Sequence, residues 1–191
     1  YERFGVMGHS MGGQIALTLS ASFPGMVSRL IVVDPAVDGK RLHPASYMLA
    51  PFMQAARRGI EFPWRWSYAL INAWPALGLQ FFRVYFPNPF RQRKAALYWA
   101  GQITADGQLN ACAWAHKAIS VWDVTPLLKN IAAPTLAIWG VKDWCVQLAQ
   151  CDLLENGIPD CRSVRIPGVG HFPMIEAFET YLAAVENFLE G

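Results

Sequence analysis

Three side chains far apart in the sequence have the types and settings that acyl transfer by a serine requires. Ser10 lies in the G-x-S-x-G pattern of residues 8–12, Asp143 follows an apolar run, and His171 lies between a glycine and an aromatic residue. An imidazole can take the proton of a serine hydroxyl that attacks an acyl carbon, and a carboxylate fixes the imidazole tautomer and stabilises its charged form. These residues predict Ser10 as the nucleophile, His171 as the general base and Asp143 as the acid.

The turn that carries the serine must be very tight if the hydroxyl is to project outward. The apolar run Phe4–Met7 precedes it and apolar residues at helical spacing follow, which predicts a strand, a turn and a helix over Met11–Ser22. Gly8 and Gly12 are expected where a side chain would collide with the neighbouring strand and helix. Because the helix start directs backbone N–H groups toward developing negative charge, the Met11 N–H is the predicted oxyanion donor.

The run Gly-His-Ser-Met-Gly-Gly resembles the nucleophile elbow of the α/β-hydrolase family, in the branch that holds esterases, lipases and carbon–carbon bond hydrolases. The stretch Ile-x-x-Pro-Thr-Leu-x-x-x-Gly-x-x-Asp, which ends at Asp143, is similar to the acid-bearing segment of that family, and the order Ser10, Asp143, His171 is the order this fold uses. The resemblance implies a partial α/β-hydrolase fold, with parallel strands flanked by helices and an inserted helical cap. It requires neither a metal ion nor an organic cofactor.

The elements that must position these residues are short. The predicted strands are Phe4–Met7, Leu30–Val33, Thr135–Gly140 and Ser163–Ile166, and the helices around them are Met11–Ser22, Gln147–Asn156 and Glu176–Leu189. The last helix is amphipathic, and its predicted buried side carries Phe178, Leu182, Val185 and Leu189. We interpret residues 1–35 and 133–191 as the α/β core with its front half missing, and residues 36–132 as a cap over the serine.

Residues 36–132 differ in composition from the rest of the chain. They hold 11 Lys and Arg against 4 Asp and Glu, many prolines and no strong strand pattern, and helices are predicted at Pro51–Arg58, Trp66–Leu77 and Arg91–Thr104. Six tryptophans are candidates for an apolar wall around a substrate, of which at least one or two are expected to face it: Trp64, Trp66, Trp74, Trp99, Trp114 and Trp122. The basic residues are scattered among these tryptophans, so no nucleic-acid partner is predicted.

Several other residues near the predicted site have an open role. Asp34 follows the second strand and is the alternative acid, although an aspartate before a proline is also an ordinary turn residue. His9, Trp144 and Phe172 are the pocket candidates. His43 and His116 have no partner at a telling spacing, and we expect them at the surface.

The composition sets the class of protein. With 191 residues, 53% hydrophobic and 16% charged, the chain can bury one sizeable core and is not of the disordered class. The four cysteines show no C-x-x-C pair, which favours a reduced, cytoplasmic setting. Polar and helix-breaking residues interrupt the uncharged interval between Arg65 and Arg83, so no stable membrane span is predicted.

The serine turn comes at residue 8, whereas members of the family place several strands before it, including the loop that supplies a second oxyanion donor. We therefore expect the chain to be the carboxy-terminal part of a longer protein, and to be poorly soluble and inactive alone.

The leading functional hypothesis is hydrolysis of a carboxylic ester with a hydrophobic acyl or alcohol part, through an acyl-enzyme. Two alternatives stay open: a carbon–carbon bond hydrolase or cofactor-free perhydrolase with the same triad, and a non-catalytic ligand-binding protein on the same fold. Ser10 excludes enzymes that need an aspartate nucleophile at this position. Acyl length and oligomeric state are not indicated.

Overall fold

Four parallel strands form one sheet in the computed structural model of the chain. The structure describes residues 2–47, 50–60, 79–104 and 108–191, together with 62, 65, 66, 69, 73 and 74. The strands lie in chain order: β1 (Phe4–His9), β2 (Val27–Val33), β3 (Thr135–Gly140) and β4 (Cys161–Ile166). All four predicted strands are confirmed. Because the strands are parallel, their carboxyl ends meet at one edge, and the loops that follow them carry the predicted site residues.

Eight helices surround the sheet within the described residues. They are α1 (Met11–Ser22), α2 (Pro44–Tyr47), α3 (Ala50–Arg57), α4 (Arg93–Thr104), α5 (Gln108–Val121), α6 (Ala149–Gly157), α7 (Pro173–Glu176) and α8 (Phe178–Glu190). None of them combines the length and the apolarity that a bilayer crossing needs.

The two central strands are buried on both faces. Leu30 and Val32 of β2 pack into a core under α1 and α6, and Ile31 and Val33 pack on the opposite face against α8. Strand β3 alternates in the same way, with Trp139 on the α1 face. Double-sided burial explains why these runs are apolar without alternation.

The closing helix differs from its prediction. The expected helix Glu176–Leu189 is two helices, since α7 ends at Glu176 and α8 begins at Phe178. Val185 and Phe188 are the buried apolar residues of α8, whereas Phe178 and Leu189 are about half exposed. The break after α7 sets the rotation of α8, which turns those two predicted core residues outward.

Residues 36–132, called the intervening segment below, leave the sheet after β2 and return to it before β3. Its two ends lie side by side, because Gly39 N donates to Trp122 O (2.9 Å) and Val124 N donates to Val37 O (2.9 Å). Helices α3 and α4 match two predicted helices, while α5 was not predicted. The predicted helix Trp66–Leu77 falls largely outside the described residues.

A buried glutamine attaches the start of this segment to the core. Gln150 Oε1 accepts the N–H groups of Val37 (2.8 Å) and Asp38 (2.9 Å), and its Nε2 donates to the carbonyl oxygens of Asp38 (3.1 Å) and Arg41 (2.8 Å). Both acceptor sites of Oε1 and both donors of Nε2 are thus used. Helix α6 therefore fixes where the intervening segment departs.

Candidate active site

Ser10 occupies a strained turn between β1 and α1. Its φ is 54° and its ψ is −118°, a backbone conformation that a residue with a side chain adopts only where the surroundings impose it, at a cost of about 1–3 kcal/mol. Two backbone hydrogen bonds hold the turn: Ser10 N donates to Val33 O (2.9 Å), and Gln14 N donates to Ser10 O (3.1 Å). Ser10 lies on the wall of a cavity.

The glycines around Ser10 do not share one role. A Cβ at Gly8 would overlap the backbone of Gly12, as predicted. A Cβ at Gly12, however, would meet nothing within 4 Å, so the expectation that Gly12 avoids a collision is wrong. The second close approach is at Gly13, where a Cβ would lie 2.7 Å from Cβ of Pro35, because α1 runs past the end of β2 at this residue.

Asp143 and His171 form a buried hydrogen-bonded pair. His171 Nδ1 lies 2.7 Å from Asp143 Oδ2, and the residues are 3% and 4% exposed respectively. The other carboxylate oxygen, Oδ1, accepts the N–H groups of Cys145 (2.6 Å) and Val146 (3.1 Å). A proton on Nδ1 leaves Nε2 as the acceptor nitrogen of a neutral imidazole, which is the tautomer a general base requires.

The backbone on both sides of the imidazole is also held. His171 N donates to the carbonyl of Tyr85 (2.8 Å), which belongs to the intervening segment. Gly170 N donates to Glu176 Oε1 (2.9 Å). Partial burial of Glu176 raises the pKa of its carboxyl from 4.5 to about 7, against the opposing effect of the hydrogen bond from Gly170. Sequence reasoning missed both Tyr85 and Glu176.

A cavity of about 340 Å³ joins these residues to the intervening segment. Ser10, Met11 and His171 line it from the sheet side. Met11 is the first residue of α1, and N–H groups in the first turn have no partner inside a helix. From the intervening segment come ten residues, among them Met53, Tyr85, Trp99, Cys112, His116 and Ile119.

Two of the three pocket candidates line this cavity. His9 and Phe172 are on its wall, and their rings are 5.0 Å apart between centroids. Trp144 is not among the lining residues: it is 41% exposed, and its ring stacks on His43 with centroids 6.1 Å apart. The structure thus places the indole of Trp144 against His43.

His9 is a neutral neighbour of the base. Burial, and secondly the adjacent imidazole of His171, lower the pKa of His9 to about 4. Its Nε2 lies 2.7 Å from the carbonyl oxygen of His171 and must carry a proton to donate to it. His9 therefore braces the His171 backbone without adding charge.

Most of the tryptophans predicted as candidates for an apolar wall do not line the cavity. Trp99 lines the cavity and packs on Phe172, with ring centroids 5.4 Å apart. Four others are largely exposed and are not lining residues: Trp66, Trp74, Trp114 and Trp122. Trp64 lies outside the described residues. The helices of the intervening segment thus turn a single described tryptophan inward.

His116 was expected at the surface and is instead on the cavity wall. Its Nε2 is buried and has no hydrogen-bond partner within the part of the chain that the structure describes, and burial lowers the pKa of the imidazole. It lies on the inner side of α5, a helix that the sequence did not predict. His43 is half-buried beneath Trp144.

Two trios of possible metal ligands occur among the described residues: His9, Asp34 and His171, and Asp143, Cys145 and His171. In each trio the donor atoms lie within 4.8 Å of one another. Both contain His171, so a metal ion bound there would compete for the imidazole that serves Ser10. The donor set fits a proton-transfer site better than a metal site.

Comparison with known proteins agrees with this geometry. The family model described as the alpha/beta hydrolase fold matches residues 1–178. The 2-hydroxy-6-oxo-6-phenylhexa-2,4-dienoate hydrolase of Comamonas testosteroni is 27% identical over 98% of this chain and 63% of its own length. Lipase 1 of Psychrobacter immobilis is 24% identical over 91% of this chain and 51% of its own length.

Solved structures show the same likeness at the level of the fold. The enol-lactonase from Burkholderia xenovorans LB400 superposes with a TM-score of 0.76 at 22% identity, covering all of this chain and 66% of that one. The chain thus spans about half to two thirds of the length of the relatives it matches. Since the family model extends over nearly the whole sequence, the chain belongs to the α/β-hydrolase family.

Proposed function

We propose that the protein is a serine hydrolase that cleaves a carboxylic ester with a hydrophobic part through an acyl-enzyme intermediate. One observation carries the proposal: the strained Ser10 and His171, whose imidazole is hydrogen-bonded to the buried Asp143, line the same cavity. The walls of that cavity are mainly apolar, which suits an acyl or aryl group.

In the proposed mechanism His171 Nε2 removes the proton of the Ser10 hydroxyl as the oxygen attacks the acyl carbon. The Met11 N–H donates to the oxyanion that forms. Asp143 keeps Nδ1 protonated and stabilises the imidazolium, which then gives its proton to the departing alcohol. Water, activated by the same imidazole, attacks the acyl-enzyme and releases the acid and Ser10.

We further propose that the intervening segment is a cap that selects the substrate. Its two ends lie together, as an insertion requires, and it contributes Met53, Trp99 and Ile119 to the cavity opposite Ser10. Residues 1–35 and 133–191 are then the catalytic core.

A second candidate is hydrolysis of a carbon–carbon bond with the same three residues. It is favoured by the relative from Comamonas testosteroni, whose name describes a hydrolase of a dienoate. A catalytically silent ligand-binding protein is the candidate of a different class.

The test measures ester hydrolysis and covalent labelling of the serine. We expect release of p-nitrophenol from medium-chain acyl esters and covalent labelling by a fluorophosphonate, and both should be lost in Ser10→Ala. Ser20→Ala is the matched control, because Ser20 is a buried serine of α1 whose hydroxyl donates to the carbonyl of Ala16 (2.8 Å) and does not line the cavity among the described residues. Labelling that persists in Ser10→Ala would remove the nucleophile assignment. Turnover of a dienoate far above that of esters would favour the second candidate.

A further inference from the structure

Asp34 is a buried carboxyl group beneath the proposed triad that the mechanism above does not use. It directly follows β2 and is 0% exposed. Its φ of 43° turns the chain sharply, and two bonds hold it against β3: Asp34 N donates to Ile138 O (3.0 Å), and Asp34 Oδ1 accepts the N–H of Gly140 (2.9 Å). The group therefore has a defined position and is shielded from bulk solvent.

The second oxygen of Asp34 has an unusual neighbour. Oδ2 receives no hydrogen bond from any donor among the described residues. Asp34 and Asp143 share His171 as a neighbour, because an Asp34 oxygen lies within 4.8 Å of a His171 ring nitrogen and Asp143 Oδ2 lies 2.7 Å from Nδ1 of the same ring. The two carboxyl groups therefore influence each other directly. Two ionised carboxylates cannot bond to each other, whereas a protonated carboxyl can donate to an ionised one. A single shared proton would satisfy the orphaned oxygen.

The surroundings decide which of the two holds the proton. Asp143 accepts two backbone N–H groups and the His171 imidazole, all of which favour its ionised form, while Asp34 accepts one N–H group. Burial, the charge of Asp143 and more weakly Glu176 raise the pKa of Asp34 well above its usual range, against the opposing bond from Gly140.

The remaining titratable groups near Asp34 are two imidazoles and the Cys145 thiol. Burial and the neighbouring carboxyl groups of Asp143 and Asp34 raise the pKa of that thiol well above its usual range, so that it stays neutral. Donor nitrogens of His9 and His171 lie within 4.8 Å of an Asp34 oxygen, and His9 is neutral. The charged groups that face it are thus Asp143 from the loop after β3, Glu176 from α7 and His171 when it is protonated.

We propose that Asp34 stays protonated at neutral pH and donates its O–H to the Asp143 carboxylate, as a positioning residue that acts on His171 through Asp143. Its donation orients the Asp143 carboxylate and draws part of the negative charge away from the imidazole. The imidazolium of His171 is stabilised less than it would be beside an unassisted carboxylate. The inference rests on the proposed function, because Asp143 influences the reaction only if His171 is the base.

The first test reads the proton directly and needs no turnover. Infrared difference spectra at pH 8 of the wild-type protein minus Asp34→Asn should show the carbonyl stretch of a protonated carboxyl, above the amide band. The same band should appear when both proteins carry Ser10→Ala. Asp38→Asn is the control, since Asp38 is another nearly buried aspartate. The spectrum of the wild-type protein minus Asp38→Asn should lack this band, because Asp34 is present in both proteins. No such band for Asp34 would overturn the proposal while leaving the serine mechanism intact.

The second test is kinetic. Asp34→Val removes the side-chain hydrogen bond with Gly140 N and the proposed one with the Asp143 carboxylate, and we expect kcat/KM to fall about tenfold. The acidic limb of its pH profile should move to higher pH, because an unassisted Asp143 carboxylate stabilises the imidazolium more. Asp34→Asn keeps an acceptor for Gly140 and a donor for Asp143, so it should recover most of the loss and return the limb to its wild-type position.

Two kinetic outcomes would contradict the proposal. A fall in kcat/KM for Asp34→Val with no shift of the acidic limb would make Asp34 a packing residue only. Loss of activity in Asp34→Asn with activity retained in Asp143→Asn would make Asp34 itself the acid partner of His171. Absence of turnover and of serine labelling in the wild-type protein would instead count against the proposed function, and the infrared result would still stand.

Discussion

On the sheet side of the cavity, hydrogen bonds fix the Asp143–His171 pair, whereas the intervening segment supplies mostly rings, sulfur atoms and aliphatic side chains to the other wall. Asp143 uses three hydrogen bonds and His171 uses both its ring and its backbone. Trp99 and Met53 meet the same cavity through packing alone among the described contacts. The difference indicates that the sheet edge carries the chemistry and the intervening segment shapes the substrate site.

The largest expected effect lies on the sheet side. Asp143→Asn keeps the shape of the acid but presents an amide to His171 Nδ1, which favours the wrong tautomer, so kcat should fall by about four orders of magnitude. Steady-state hydrolysis of an acyl ester measures it. Asp152→Asn, an exposed aspartate on α6, should retain wild-type kcat. A fall in kcat of less than tenfold in Asp143→Asn would contradict the assignment of the chemistry to the sheet edge.

The next effect concerns folding of the sheet edge. Gly8→Ala forces a Cβ into the Gly12 backbone and should lower the free energy of unfolding by about 3 kcal/mol or more. Gly12→Ala is its matched control, because its Cβ meets nothing and a helical alanine gains up to about 1 kcal/mol over glycine. Urea unfolding compares them. Equal destabilisation by the two substitutions would show that the turn is looser than its geometry indicates.

A substitution in the intervening segment should change selectivity rather than chemistry. Trp99→Ala removes an indole from the cavity, and we expect kcat/KM to fall about tenfold for long or aromatic acyl esters and less for acetate esters, since lost apolar contact of this size is worth about 1–3 kcal/mol. Trp114→Ala is the control, because its ring is exposed and contacts Arg57. A uniform fall in kcat for every ester would assign Trp99 a role in the chemical step.

The smallest expected effect is a pH dependence of stability. Folding raises the pKa of Glu176 from 4.5 to about 7, so its contribution to stability is fully present below about pH 4.5 and is lost as the pH rises through about 7. Glu176→Gln should remove this decline between about pH 4.5 and about pH 7 in urea unfolding. Glu179→Gln, at an exposed position of α8, should leave the wild-type trend in place. If the free energy of unfolding of Glu176→Gln still declined with pH as in the wild type, another group would be responsible for the decline.

The sequence predicted the sheet better than it predicted the orientation of the side chains around the cavity. The G-x-S-x-G pattern, the apolar runs and the order of the three residues predicted the parallel sheet, which the structure and the family match confirm. The same local signals failed for His116 and Gly12 and did not indicate the partner of Trp144, because each depends on which way a neighbouring element turns. No sequence pattern announces that Trp144 will stack on His43.

What the sequence determined by itself was therefore the set of strands and the residues that follow their ends, since period and turn chemistry act over a few neighbouring positions. Only the tertiary structure decided which groups meet across the cavity. The Tyr85 carbonyl on His171 N, the Gln150 attachment and the approach of Asp34 to Asp143 join residues from 86 to 113 positions apart. Such contacts arise from the packing of whole elements, and no short stretch of sequence encodes them.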